Sequence, residues 1–221
     1  MSKIDIDKLN PDTYITNGST ALERITHWAL AGSCIILFIT GIGFMFRSLN
    51  IIQYLLQFPH GAKTVHHIAG LIFAISIVLA FIVWAKDCFF DAEDMKWFSV
   101  LGGYLVRTDQ HFDLGKFNPG QKIFTWYCIF FGIAVSITGY IMWTPFDFSR
   151  QTVQLSYPIH ALCAFFFGIG WLGHWYLGAW ANPGSVSVIT SGRAKLSWCA
   201  HHRPRWLRKM EKEGKLNIAK E

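Results

Sequence analysis

Nine histidines supply the side chains in this 221-residue chain best suited to metal or redox chemistry. Four lie in or at the ends of long apolar runs, where an ionisable or metal-binding side chain is a functional candidate by default. His160 and His174 are fourteen residues apart. On one helix that is about 21 Å and about 3.9 turns, so both point nearly the same way. One then sits near each face of a hydrocarbon layer about 30 Å thick. His27 opens the first apolar run, and His66 or His67 opens the second. Neighbours on a helix point about 100° apart, so only one of that last pair can share a site with another histidine.

The elements that must carry these side chains are four apolar blocks. Hydrophobic residues make up 52% of the sequence and charged residues 15%, against about a quarter charged in a soluble domain. The blocks run from about 25 to 46, 65 to 85, 123 to 143 and 153 to 181, each near the ~20 residues that a bilayer asks of a helix. The fourth is long enough to tilt or protrude, with Pro158 near its expected start. Ten tryptophans fall largely at block edges, as an interfacial belt would. The fold expected is all-α, an integral membrane four-helix bundle with interfacial helices. One of these is expected over 48–63, from Ile51, Ile52, Leu55 and Leu56, and one over 86–121. The chain divides into an N-terminal segment, 1–24, a four-helix domain, 25–182, and a basic tail, 183–221. Residues 1–22 hold no apolar run, so the first span is expected to direct the chain to the membrane itself.

Charge sets the orientation. Seventeen of the twenty Lys and Arg lie in the N-terminal segment, the second loop and the tail; Arg47, Lys63 and Arg150 alone lie in the other two loops. Both termini are therefore expected on the cytoplasmic side. The net charge of +6 is then a topology and anionic-lipid signal, and nucleic-acid binding is set aside. The five cysteines form no C-x-x-C pair, which argues against iron–sulfur, zinc and c-type haem sites.

Depth now pairs the histidines. His27 starts the first span at the inner face and His174 ends the fourth there. His66 (or His67) and His160 start their spans at the outer face. Two imidazoles per leaflet, from different helices, is what two b-type haems need: an axially bis-histidine iron carries electrons and leaves no position for oxygen. Gly70, one turn beyond His66, and Gly168, Gly170 and Gly173 near the fourth-span ligands are small enough to admit a porphyrin, though helix–helix contact explains small residues equally well. Asn118 and Gln121 form a turn before the third span on the inner side, where their amides could hydrogen-bond a quinone carbonyl. A plain helix-entry turn is the alternative. Arg24 and Lys122 could meet haem propionates, or reach up to lipid phosphate.

These residues resemble a known family, the gamma (cytochrome b556) subunits of membrane-bound formate dehydrogenases. The likeness covers nearly the whole chain after about residue 20. It rests on the Arg-x-x-His-Trp run at 24–28, His66 with Gly70, Phe-Asn-Pro-Gly-Gln-Lys at 117–122, the His160/His174 spacing and the tail run His-His-Arg-Pro-Arg-Trp at 201–206. The interval of 39 between His27 and His66 fits the family and favours His66 over His67. In the tail an Arg intervenes between the second His and the Pro. The resemblance implies two haem b held by His66 with His160 and by His27 with His174. It implies a quinone pocket at His174, Asn118 and Gln121. It also implies an iron–sulfur beta subunit and a molybdenum- or tungsten-pterin alpha subunit on the outer side. Electrons would cross to menaquinone near the cytoplasmic face of a bacterial inner membrane. The rival readings are the cytochrome b of a hydrogenase or thiosulfate reductase and, in another class, a non-redox anchor or transporter; the internal repeats and broken helices of many transporters are not evident.

Overall fold

The computed structural model describes residues 10, 12–49, 54, 58–103 and 111–219. Four long helices dominate: α1 (Ala21–Met45), α2 (Phe58–Trp84), α4 (Pro119–Trp143) and α5 (Arg150–Tyr176). All four are long and apolar enough to cross a membrane. A short helix, α3 (Ala92–Ser99), lies between α2 and α4. After a π-helical turn at Leu177–Ala181 come α6 (Ser185–Thr190), α7 (Leu196–His202) and α8 (Pro204–Lys212). Two short strands, β1 (Tyr14–Ile15) and β2 (Ala194–Lys195), pair antiparallel, Tyr14 opposite Lys195.

Sequence reading and structure differ at two helix starts. Helix α2 begins at Phe58 and not near Val65, because polar residues such as His60, Lys63 and Thr64 cost a helix little. His66 and His67 therefore sit two turns inside it. Helix α5 begins at Arg150, which makes Pro158 an interior proline; the Gln154 carbonyl loses its helical donor just before His160. Of the interfacial helix expected over 48–63, Ile51, Ile52, Leu55 and Leu56 lie outside the described residues. Over 86–121 the described residues include the short helix α3, and Tyr104 and Leu105 lie outside them.

The chain forms two compact units. One comprises Ile25–Ile82 and Tyr127–Gly173, the greater part of the four long helices. Its core is Cys34 of α1, Phe73 and Ile77 of α2 and Phe167 of α5, with Phe38, Phe131, Val135 and Trp171 packed around them. The helices come close where side chains are missing: a Cβ on Gly132 would meet Ile77 Cδ1 at 2.5 Å. Outward faces are apolar; Ile68, Leu71, Ile75, Val78 and Ile82 form an exposed stripe at helical spacing along α2. In water such a stripe would be a liability, and in lipid it is the expected surface.

The other unit comprises Met1–Arg24, Val83–Trp126 and His174–Glu221. The two-stranded sheet and the tail helices share a core of Ile15, Val188, Ala194, Leu196, Cys199, Leu207 and Leu216. Thr20 and Glu23 form a capping box at the start of α1: the Thr20 amide donates to Glu23 Oε2 at 2.8 Å, and the Glu23 amide to Thr20 Oγ1 at 3.2 Å. Buried Glu23 also takes a hydrogen bond from Trp84 Nε1, 3.2 Å, and pairs with Lys116.

Candidate functional site

In the four-helix unit, α2 carries His66 and α5 carries His160, and the two rings face each other with centroids 6.4 Å apart and planes 59° apart. That gap can be tested for fit. Imidazole nitrogen binds a first-row metal ion at about 2 Å and lies about 1 Å in front of its ring centroid, so two rings on opposite sides of one ion have centroids roughly 6 Å apart. The observed spacing leaves room for one iron, which His66 and His160 would hold. His67 goes elsewhere, stacked on Trp143 at 4.6 Å. The 100° between neighbours on α2 thus separates the two histidines, and His66 is the one that meets His160.

Neighbouring helices orient both rings. His66 Nδ1 lies 2.7 Å from Thr40 Oγ1 of α1, and His160 Nδ1 lies 3.0 Å from Thr138 Oγ1 of α4. The residue after each threonine is a glycine turned to the same ring: a Cβ at Gly41 would stand 3.7 Å from His66 Cε1, and one at Gly139 would stand 3.2 Å from His160 Cε1. Phe44 closes on His66 edge-on at 5.5 Å. The threonines were not evident as site residues in the sequence. The signal that could have found them is the run Ile-Thr-Gly, which occurs on α1 at 39–41 and again on α4 at 137–139.

The glycines on α5 have a different task. Cβ atoms at Gly168 and Gly170 would run into the rings of Phe38 and Tyr127 respectively, so these two serve helix packing. Among the described residues, a Cβ on Gly70 would meet Leu37, at 3.9 Å, and one on Gly173 would meet no side chain within 4 Å.

His27 belongs to the four-helix unit and is half-buried on α1, beside Trp28. His174 belongs to the tail-bearing unit, where Phe124 stacks on it with centroids 4.3 Å apart and planes 2° apart. The two histidines that the sequence pairs by depth thus belong to different units. Asn118 and Gln121 make a reciprocal capping box at the start of α4: the Asn118 amide donates to Gln121 Oε1 at 3.0 Å and the Gln121 amide to Asn118 Oδ1 at 2.8 Å. Pro119 takes the first helical position, where its missing N–H costs nothing. The helix-entry reading therefore holds, and the box uses the carbonyl oxygen of each side-chain amide, with the NH2 group outside it.

Lys122 is corrected by the structure. Lys122 is buried and does not reach up to headgroups: its Nζ lies 2.7 Å from Asp94 Oδ2, 3.7 Å from Asp91 Oδ2 and 3.1 Å from the Phe89 carbonyl. Asp94 is fully buried, with its Oδ1 left unbonded, and Asp91 caps α3 and pairs with Arg205 at 2.5 Å. A lysine so enclosed by two carboxylates has charges to satisfy nearer than any phosphate or propionate. Arg24 donates to the Ser19 carbonyl at 2.8 Å. Burial pushes the Asp91 carboxyl upward, but the Arg205 hydrogen bond and charge and the Lys122 charge outweigh it, so its pKa falls below the usual carboxylate value.

Comparison with known proteins supplies the setting. The sequence profile of the prokaryotic cytochrome b561 family matches residues 19–192. The formate dehydrogenase cytochrome b556 subunit of Haemophilus influenzae is 31% identical over 213 residues, 94% of this chain and 87% of that protein. The formate dehydrogenase cytochrome b556(fdo) subunit of Escherichia coli K12 is 27% identical over 196 residues, 87% of this chain and 92% of that one. The nitrate-inducible formate dehydrogenase cytochrome b556(Fdn) subunit of the same strain is 26% identical over 195 residues, covering 86% and 89%.

Proposed function

The chain belongs to the prokaryotic cytochrome b561 family, and from that premise we propose that it is the membrane cytochrome b subunit of a formate dehydrogenase complex, which delivers electrons to menaquinone. The observation that carries the reading is the facing pair His66 and His160, whose 6.4 Å separation suits one iron between two imidazoles. Held by these two imidazoles, a haem b would supply one-electron transfer.

Two haem b are proposed. His66 and His160 hold one; His27 and His174, fourteen residues down α5 from His160, hold the other. The basic loops favour both termini in the cytoplasm of a bacterium, with the chain in its inner membrane. Formate oxidation lies in a partner alpha subunit with a molybdenum- or tungsten-pterin, joined through an iron–sulfur beta subunit on the outer side. His174, Asn118 and Gln121 serve the quinone: the amide NH2 groups point a carbonyl into place, and the inner-side position lets protons arrive from the cytoplasm. Outer oxidation joined to inner proton uptake builds membrane potential without a pump.

The test is anaerobic addition of formate to the purified complex, followed by a menaquinone analogue. Formate should develop the sharp reduced b-type bands and the quinone should bleach them. If dithionite produces those bands but formate does not, the donor assignment is wrong; if neither does, the cytochrome reading fails.

A further inference from the structure

The two threonines at the facing histidines share one bonding pattern. Thr40 Oγ1 lies 2.7 Å from the Ile36 carbonyl and 3.2 Å from that of Leu37, one turn back on α1. Thr138 Oγ1 stands 2.7 Å from the Ala134 carbonyl and 3.2 Å from that of Val135, one turn back on α4. A hydroxyl has one hydrogen and two lone pairs. In both threonines the hydrogen goes to the helix's own carbonyls, so toward the histidine the oxygen can act only as acceptor. The bond at 2.7 Å in one case and 3.0 Å in the other then requires an N–H on His66 Nδ1 and on His160 Nδ1. A neutral imidazole protonated at Nδ1 carries its lone pair on Nε2. Both rings are thus fixed in the tautomer that ligates through Nε2.

We propose that Thr40 and Thr138 are positioning residues that lock the ligating tautomer of His66 and His160 and hold the redox potential of the iron between them low. The proposal rests on the reading of this pair as haem ligands. An acceptor on Nδ1–H raises the basicity of the opposite nitrogen, and a more basic ligand favours the oxidised iron. Each histidine has one threonine acceptor, on the helix next to the one that bears it and followed by a glycine that leaves room at Cε1, and His160 has the Val135 backbone carbonyl as a further partner. Ring orientation follows from the same bond, since a histidine tied at Nδ1 cannot swing its Nε2 out of line.

The test uses the intact complex and the variants Thr40→Val, Thr138→Val, the double Val and Thr40→Ser, read by haem content and by optical redox titration. Each Val variant should keep both haems and raise the potential of one. The reduced-to-oxidised ratio of that haem at fixed ambient potential should rise about tenfold, which is about 59 mV for one electron. The double variant should move the same haem further, and the Ser variant should titrate like the parent. A Val variant that loses one haem while the Ser variant retains it also supports the assignment. Both haems present with unshifted potentials would overturn the threonine proposal while leaving the haem ligands standing, as would loss of the haem in the Ser variant too. A parent complex without haem would overturn the underlying reading instead.

Discussion

The two units fix their histidines by different physics. In the four-helix unit, His66 and His160 are each tied at a named nitrogen by a hydroxyl, so tautomer, plane and direction are all set. In the tail-bearing unit, Phe124 lies flat on His174, and a stacked ring sets the plane alone. The surroundings differ in the same sense. The first unit is held by apolar packing between helices and shows apolar faces outward. The second is held by a small core of its own together with a buried carboxylate–lysine cluster. A site among the long helices is built from its nearest helices, whereas one in the other unit is also organised by loops and tail, which ions and caps hold in register.

The comparison can be broken most severely at the ligands. His174→Ala should remove one haem from each chain and abolish quinone reduction; haem assay and quinone turnover on the same preparation check both. Next in size is Asp94→Asn, which leaves the buried Lys122 charge without its closest partner. Loss of one member of a buried pair costs about 3–5 kcal/mol. The expected outcome is rapid proteolysis of the second loop and the tail with the bundle left intact, followed by gel analysis of limited digests.

A smaller effect concerns pH. Burial, then the charges of His201 and Arg203, hold the His202 imidazole down at about 4, against an ordinary value of 6.5. The folded tail therefore binds His202 neutral while the unfolded tail protonates it below about 6.5, so the stability from this group is present above that pH and drains away as pH falls toward 4. Tail proteolysis should accelerate over that window, and His202→Gln should flatten the dependence. The smallest effect belongs to the exposed pair Lys195 and Asp12, 2.8 Å apart: Lys195→Ala should leave the melting temperature where it was.

Much of this was legible in the residues. Four spans follow from charge-poor runs whose length lipid dictates, and the His160/His174 register follows from helical pitch alone. Helix starts were less legible, because α2 and α5 extend past their apolar cores through polar residues that cost a helix little. Lys122 was misread for a reason of the same kind: sequence places a lysine at a span edge but not the two aspartates, about thirty residues upstream, that fold back on it. Thr40 and Thr138 escaped because a threonine in a membrane helix ordinarily satisfies itself on its own backbone, and these two do that and serve the histidine besides.

The proposed function requires His66 and His160 to hold one and the same iron. Haem counted per chain in His66→Ala, in His160→Ala and in the double variant addresses this directly. One haem remaining in all three is the predicted result, since the second substitution removes a ligand whose partner is already gone. A double variant that has lost both haems would assign the two histidines to different irons and contradict the account.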